Sequence, residues 1–122
     1  MTKEDKVLLL KDLCARLPYR TKVRRYRYTT PIDSIQSVEL LGLGWLEELY
    51  GEEAEFKPYH FPLSSMTEEQ SKVYHELIKG MFGTSALINF EVLTDFFNSN
   101  HLDFRGLIKM GLAIDATGLN IY

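Results

Sequence analysis

The sequence has little of what marks a disulfide framework, a cysteine zinc site or a membrane span. Cys14 is the single cysteine of the 122 residues, which excludes an intramolecular disulfide and a multi-cysteine zinc site. The most apolar window, "VELLGLGWL" at 38–46, contains a glutamate and two glycines and is far shorter than the ~20 residues of a membrane helix. The start, "MTKEDKVLLLKDL", has acidic residues ahead of a short apolar run that a lysine interrupts, unlike a secretory signal with its basic start and small-residue cleavage site. We expect a soluble cytoplasmic protein in which Cys14 is a small core residue.

The common enzyme motifs are missing as well. The sequence contains no glycine-rich phosphate loop, Rossmann fingerprint, zinc-helix motif or hydrolase elbow. Ser65 could meet His60 in space, but a serine ahead of a helix is usually a cap or turn residue. His101 and Asp103 are spaced for a shared metal, yet a metal site needs three or four ligands. We therefore expect neither an enzyme nor a bound cofactor or metal.

What is present indicates one globular domain with an uneven charge distribution. The chain is 45% hydrophobic and 25% charged, and its length suits a single core over residues 1–122. Residues 1–30 contain nine basic and three acidic side chains, whereas residues 31–56 contain seven acidic and no basic ones. The two oppositely charged segments are adjacent in sequence, although the net charge is only −3. That acidic segment and net charge disfavour duplex DNA as a partner.

Periodicity places a helix first and a small sheet after it. Thr2 and Asp5 are near capping-box spacing, the helix ends at Pro18, and its apolar side is predicted to be Leu10, Leu13, Cys14 and Leu17. Residues 19–28 and 34–41 have the composition and alternation of two strands and predict a hairpin. A third short strand is expected near Tyr59 and Phe61, limited by Pro58 and Pro62.

Two further helices and a turn-rich tail complete the predicted fold. Thr67 and Gln70 form a capping box for a helix with the buried stripe Val73, Tyr74, Leu77, Ile78 and Met81. A brief β-prone piece then leads to a helix capped by Asn89, whose apolar side is Val92, Leu93, Phe96 and Phe97. Asp103 is expected to cap the next turn and pair with Arg105. The predicted fold class is α+β: an N-terminal helix, a small antiparallel sheet, two further helices and a C-terminal tail with frequent glycines.

The stretch "YRTKVRRYRYTT", Tyr19 to Thr30, is the strongest candidate for a binding surface. It contains five basic residues and three tyrosines without one carboxylate. Arginine forks and tyrosine rings suit an anionic planar ligand such as a nucleotide. The candidate ligand-binding residues are Arg24, Arg25, Tyr26, Arg27 and Tyr28.

A solvated edge strand is the preferred explanation of this stretch, and both explanations stay open. A strand places Arg24, Tyr26 and Tyr28 on one face and Arg25 and Arg27 on the other. One pocket would then use only one set, unless subunits of a homo-oligomer meet there. The acidic run from Glu47 to Glu55 could also neutralise the strand.

Trp45, the single tryptophan, is the candidate residue for a protein interface. A core position is the preferred alternative, since large aromatic residues are mostly buried.

Three segments resemble a known group of proteins: "LLLKDLCARLPY" (8–19), "EFKPYHFPLSSMTEEQ" (55–70) and "HLDFRGLIKMGLAIDATGLNIY" (101–122). They are similar to short uncharacterised proteins of gut Bacteroides, their phages and mobile elements, and cover a little under half of the chain. The middle, residues 20–54, departs from that pattern. The resemblance implies a phage or mobile-element setting in a bacterial cytoplasm, and it brings no catalytic residues. In that setting, sequestering a nucleotide-derived defence signal is one expected function, and blocking a host protein is the alternative.

Overall fold

The computed structural model describes residues 1–30, 32–42, 44–80 and 86–122, which form a mixed sheet of four strands with four α-helices. The helices are α1 (Lys3–Ala15), α2 (Gly44–Tyr50), α3 (Glu68–Gly80) and α4 (Ala86–Ser99). The strands are β1 (Lys22–Arg27), β2 (Ile32–Ser37), β3 (Ala54–His60) and β4 (Ile114–Asp115). The α+β prediction and the predicted order of elements are confirmed. No helix in the described ranges is long and apolar enough to cross a membrane.

The sheet has the strand order β2-β1-β3-β4. β1 is antiparallel to both neighbours, with Arg24 opposite Ile35 on β2 and opposite Lys57 on β3. The predicted hairpin is therefore correct. β4 runs parallel to β3, with Tyr59 opposite Ile114, so an entirely antiparallel sheet was the wrong expectation. The long connection through α3 and α4 permits this parallel pairing, which involves the last two residues of β3.

The strand limits differ from the predicted ones in three places. β2 ends at Ser37, because residues 38–40 turn into a 3-10 helix. The short helix α2 and the early start of β3 at Ala54 were not predicted. Pro58 lies inside β3 rather than at its end, opposite Val23. The ring is tolerated because its missing N–H faces away from β1, where no ladder bond is lost.

The main core lies between one face of the sheet and helices α1 and α2. This inner face includes Val23 of β1 and Phe56 of β3, and it packs against Leu9, Leu13, Val38, Trp45 and Leu49. Trp45 is 7% exposed, and its ring meets that of Phe56 edge-on at 6.0 Å between centroids. The core interpretation of Trp45 is confirmed, and the tryptophan is not available as an exposed interface anchor.

The side of helix α1 that packs against the core is not the side that the sequence predicted. Its Thr2–Asp5 capping box is present. Leu9 and Leu13 are buried, whereas Cys14 and Leu17 are exposed. The prediction of a buried Cys14 was wrong because the charged residues Asp12 and Arg16 occupy the buried side instead.

Helices α3 and α4 pack together beyond the end of β3. The predicted capping box at the start of α3 is present, with reciprocal hydrogen bonds between Thr67 and Gln70 of 3.0 and 3.1 Å. The shared core consists of Tyr74, Leu77, Leu93, Phe96 and Phe97 with Phe61, Met66, Leu102 and Phe104. Val73 and Val92 are exposed, contrary to the predicted stripes. Helix α4 begins by Ala86 rather than after Asn89, and the predicted Met81 contact lies outside the described residues.

Candidate functional site

The face of the sheet opposite α1 and α2 is the outer face, formed by Arg24 and Tyr26 of β1, Asp33 and Ile35 of β2, and Glu55 and Lys57 of β3. These residues are opposite one another in the strand register, so their side chains share one side. Ile35 is 52% exposed and Tyr28, just beyond β1, is 53% exposed. The outer face is therefore open to solvent at Ile35 on β2 and at Tyr28 beyond the end of β1.

Arg24 is held by a carboxylate of the neighbouring strand. Its Nε and Nη2 donate to the two oxygens of Asp33 at 3.0 and 2.9 Å. The hydrogen bond from Arg24 lowers the pKa of Asp33 and raises that of Arg24 in return. Both side chains are roughly half exposed, so solvent screens the pair. An anion that reached Arg24 would have to replace Asp33.

Two tyrosines stand beside this arginine. The rings of Tyr26 and Tyr28 meet edge-on with centroids 5.5 Å apart. The Tyr28 hydroxyl donates to Glu55 at 3.1 Å, and Lys57 pairs with the other oxygen of Glu55 at 3.2 Å. The outer face thus places Arg24, Tyr26, Tyr28 and Lys57 in one strip, with a carboxylate beside each cation.

Arg25 and Arg27 belong to the inner face and are already engaged. Arg25 donates through Nε and Nη2 to the two oxygens of Glu48 on α2, the Nε bond being 3.1 Å long. Arg27 lies 3.4 Å from the same carboxylate. The Arg25 guanidinium also lies 6.0 Å from the centre of the Phe56 ring. The acidic run therefore neutralises this half of the basic strand, as one of the sequence explanations proposed.

The five candidate binding residues are thus divided by the sheet. Arg24, Tyr26 and Tyr28 are together on the outer face, while Arg25 and Arg27 are fixed against α2. A single site on one protomer can use the first set only.

A buried polar cluster around Asp12 was not predicted from the sequence. Asp12 Oδ1 accepts from Arg16 Nε at 2.9 Å and from Arg105 Nη1 at 2.7 Å, while Oδ2 lies 2.6 Å from His60 Nε2. Asp12, Arg16 and His60 are each 0% exposed. Burial raises the pKa of Asp12, but His60 and Arg16 outweigh it and lower this pKa to about 2. Asp12 is therefore an anion that holds three basic side chains together.

His60 uses both ring nitrogens in this cluster. Its Nδ1 lies 2.9 Å from the Tyr59 carbonyl, and its Nε2 faces the Asp12 carboxylate. The Tyr59 carbonyl and the Asp12 carboxylate therefore fix the ring from both sides. The His60 ring therefore has a structural role and does not contact Ser65. The Ser65 hydroxyl donates instead to the Pro62 carbonyl at 2.7 Å.

Arg105 joins the Asp12 cluster rather than pairing with Asp103, which corrects that prediction. The guanidinium of Arg105 lies over the Phe104 ring at 4.3 Å. Asp103 does cap the following turn as expected, accepting from the backbone N–H groups of Leu107 and Ile108 at 2.8 and 2.9 Å. The i, i+4 spacing of Asp12 and Arg16 was the one local signal of this cluster. His60 and Arg105 are too far away in sequence to be inferred.

The C-terminal residue, Tyr122, contacts the backbone of β1 and β3 through its hydroxyl. The Lys22 N–H donates to its hydroxyl at 2.7 Å, and that hydroxyl donates to the Tyr59 carbonyl at 2.8 Å. Its ring stacks on His101 with centroids 3.6 Å apart. Burial raises the pKa of Tyr122, so the hydroxyl stays protonated and able to bridge β1 and β3.

A cavity of about 520 Å³ opens next to the start of β3. Apolar side chains from the residue before α1, from α2 and from the tail line it together with charged side chains from α1 and β3. Its lining consists of Met1, Asp5, Lys6, Tyr28, Leu49, Glu52, Ala54, Glu55, Lys57, Met110, Gly111 and Leu112. The lysines among them are paired, Lys6 with Glu52 at 3.1 Å and Lys57 with Glu55.

Within the described part of the chain, no three histidine, cysteine, aspartate or glutamate side chains are grouped closely enough to hold a metal ion. His101 faces Tyr122 and Asp103 faces the backbone of the next turn, so the structure does not bring the two together as ligands.

Comparison with known proteins gave no match to a family model, to a curated protein or to a solved structure.

Proposed function

We propose that this protein is a non-enzymatic binding protein whose outer face takes an anionic, ring-bearing ligand such as a nucleotide-derived signal. The observation that carries the proposal is the strip of Arg24, Tyr26, Tyr28 and Lys57 on the solvent side of the sheet. A guanidinium and an ammonium suit phosphate oxygens, and tyrosine faces suit a base. The resemblance to proteins of Bacteroides phages and mobile elements supports a counter-defence role in which the ligand is sequestered.

Asp33 determines how tightly such a ligand could be held. It occupies both donors of the Arg24 fork in the free protein, so binding replaces one charge-assisted pair by another. Removing the negative charge of Asp33 frees the fork without altering the strand. The ligand should therefore bind more tightly to Asp33→Asn than to the unmodified protein.

The test is calorimetry against cyclic oligonucleotides and nicotinamide-derived nucleotides. Loss of a well-placed arginine should weaken binding about ten- to a hundredfold in Arg24→Ala. Tyr26→Ala should also weaken binding, because a stacking surface is lost. Arg25→Ala is the matched control, since that arginine faces α2 and its loss should leave ligand affinity unchanged. Absence of any binding, or equal affinity in all variants, would leave the outer face a solvated surface without a ligand. β1 itself lies between β2 and β3, so it is not the edge strand that the sequence favoured.

Chemical turnover would contradict the non-enzymatic part of the proposal. The same nucleotides should be recovered unaltered after incubation with the protein. If they were converted at a rate that disappeared in His60, Ser65 or His101 variants, the protein would be an enzyme.

A second candidate function, binding to a host protein, is supported by β2, which has no second strand beside it in the described ranges. This strand is at the edge of the sheet, and its alternate residues Asp33, Ile35 and Ser37 direct their backbone groups away from β1. An open edge can pair with a strand of another chain. A partner captured from host lysate by the unmodified protein and lost with Ile35→Pro would favour this function.

A further inference from the structure

The cavity next to the start of β3 contains an ammonium group that is almost enclosed. Lys6 lines this cavity, is 9% exposed, and holds its Nζ 3.1 Å from Glu52 Oε1. Within the described residues, Glu52 is its one hydrogen-bond partner. Because an ammonium carries three N–H donors, this single ion pair does not use all of them.

The two partners of this ion pair differ in exposure. The Glu52 side chain is 76% exposed, whereas that of Lys6 is 11% exposed. An exposed carboxylate stays hydrated when it changes rotamer, but the Lys6 ammonium would be left as a nearly buried charge without a partner. A ligand that enters between them must therefore bring a negative group to Lys6.

A second carboxylate lines the same cavity and acts on the same neighbour as Glu52. Glu55 accepts from the Tyr28 hydroxyl at 3.1 Å, and both residues are part of the lining. Desolvation is the largest cause that raises the pKa of Tyr28, the hydrogen bond and charge of Glu55 follow, and the charge of Glu52 adds to them. Two carboxylates therefore lie near this hydroxyl, where they attract the positive group of a ligand.

Apolar side chains complete the wall of the cavity. Met1 and Met110 are half exposed, and the buried Leu49 and Leu112 are part of the same lining. Methionine side chains are unbranched and adapt to the shape of an apolar group. The volume of about 520 Å³ is within the range of small-ligand pockets, roughly 300–1,000 Å³. The cavity therefore combines charges of both signs with an apolar surface.

We propose that this cavity binds an α-amino acid with an apolar side chain. The carboxylate of the ligand binds the Lys6 ammonium, its α-ammonium binds Glu52 and Glu55, and its side chain packs against the two methionines. The zwitterion enters the Lys6–Glu52 pair, so each partner exchanges one opposite charge for another. A simple carboxylate would meet Glu52 and Glu55 without a cation, and a simple amine would leave Lys6 unpaired.

This site goes beyond the proposed nucleotide ligand of the outer face. Tyr28 and Lys57 border both surfaces. Arg24 does not line the cavity, while Lys6 lies on α1 and Glu52 follows α2. Arg24→Ala should therefore leave amino-acid binding unchanged, so each proposal can fail without the other.

The test uses leucine and two analogues with the same side chain, each of which lacks one charged group. Isocaproate lacks the α-ammonium, and isoamylamine lacks the carboxylate. In ¹H–¹⁵N NMR titrations leucine should shift the amide signals of Glu52 and Gly111, which line the cavity. Each analogue should bind at least about tenfold more weakly, because a charge-assisted hydrogen bond is lost. Equal affinity for all three compounds, or unchanged signals at millimolar leucine, would overturn the proposal.

Protein variants test the charged groups of the cavity one at a time. Glu52→Gln removes an exposed carboxylate and should weaken leucine binding about tenfold. Glu53→Gln is the matched control, because Glu53 is exposed, lies next in sequence and does not line the cavity. Lys6→Met keeps an unbranched side chain without the ammonium and should abolish leucine binding. If Lys6→Met fails to fold, the Glu52 variant and the two analogues decide the matter. Equal leucine affinity in the Glu52 and Glu53 variants would contradict the proposed site.

Discussion

Asp12 is the residue on which the buried polar cluster depends. Its two oxygens contact Arg16 at the C-terminal cap of α1, His60 at the end of β3 and Arg105 in the segment after α4. Arg16 in turn donates through Nη2 to Leu102 O at 2.7 Å. One carboxylate therefore connects three distant parts of the chain.

Replacing Asp12 by Asn should destabilise the protein strongly. The substitution keeps the shape but leaves three basic groups around an uncharged amide, and breaking a buried ion pair in this way costs about 3–5 kcal/mol. Urea unfolding at pH 7 measures the loss. Asp33→Asn is the matched control, because its pair with Arg24 is exposed and screened, and it should change the unfolding free energy much less. Equal losses in the two variants would show that the cluster does not stabilise the fold.

At the scale of elements, the contact between the start of β1 and the end of β3 depends on the C-terminal residue, Tyr122. Lys22 and Tyr59 lie beyond the regular β1–β3 pairing, and the hydroxyl of Tyr122 bridges their backbone groups. The ring is held between His101 and Phe61, with centroids 3.6 and 5.8 Å away.

Tyr122→Phe should therefore loosen this end of the sheet while keeping the ring in place. Loss of the hydroxyl leaves the Tyr59 carbonyl and the Lys22 N–H without their bridge, which should cost about 1–3 kcal/mol. Amide hydrogen exchange should become faster at Lys22, and urea unfolding should report the free-energy loss. Tyr50→Phe is the control, since Tyr50 is 46% exposed. If exchange at Lys22 were the same in both variants, the bridge would not hold the strands.

The elements also show which parts of the fold local sequence can specify. The capping boxes at Thr2 and Thr67 and the β1–β2 hairpin were predicted because their signals lie within a few residues. The buried side of α1 was mispredicted because Asp12 and Arg16 are stabilised by partners dozens of residues away. β4 and α2 are too short to give a periodic signal.

The candidate site shows the same limit. Alternation along residues 19–28 correctly divided the arginines and tyrosines into two faces. Which face would be open depended on α2, since Glu48 reaches Arg25 only after that helix packs against the sheet.

Across the whole molecule, the buried basic groups make the fold sensitive to acid. The pKa of His101 is lowered to about 4. Burial is the largest cause, and the nearby Arg16 and His60 add to it. Unfolding restores the ordinary histidine pKa of about 6.5. Between pH 6.5 and 4 the unfolded chain therefore binds a proton that the folded chain does not, so stability falls as the pH falls. Asp12, whose pKa is lowered to about 2, adds its own loss only below about pH 4.

His101→Asn should flatten the dependence of the unfolding free energy on pH between 6.5 and 4. Asparagine is chosen because residue 101 has a φ of +57°, a left-handed conformation that asparagine adopts more readily than most residues. The variant loses the stack on Tyr122 and should be less stable at pH 7, but the slope and not the absolute value is the measure. His75→Asn, at an exposed position on α3, should keep the original slope. Urea unfolding at half-unit pH intervals distinguishes the cases. An unchanged slope in His101→Asn would mean that the acid sensitivity comes from another group, because no other change in this variant removes a titrating proton.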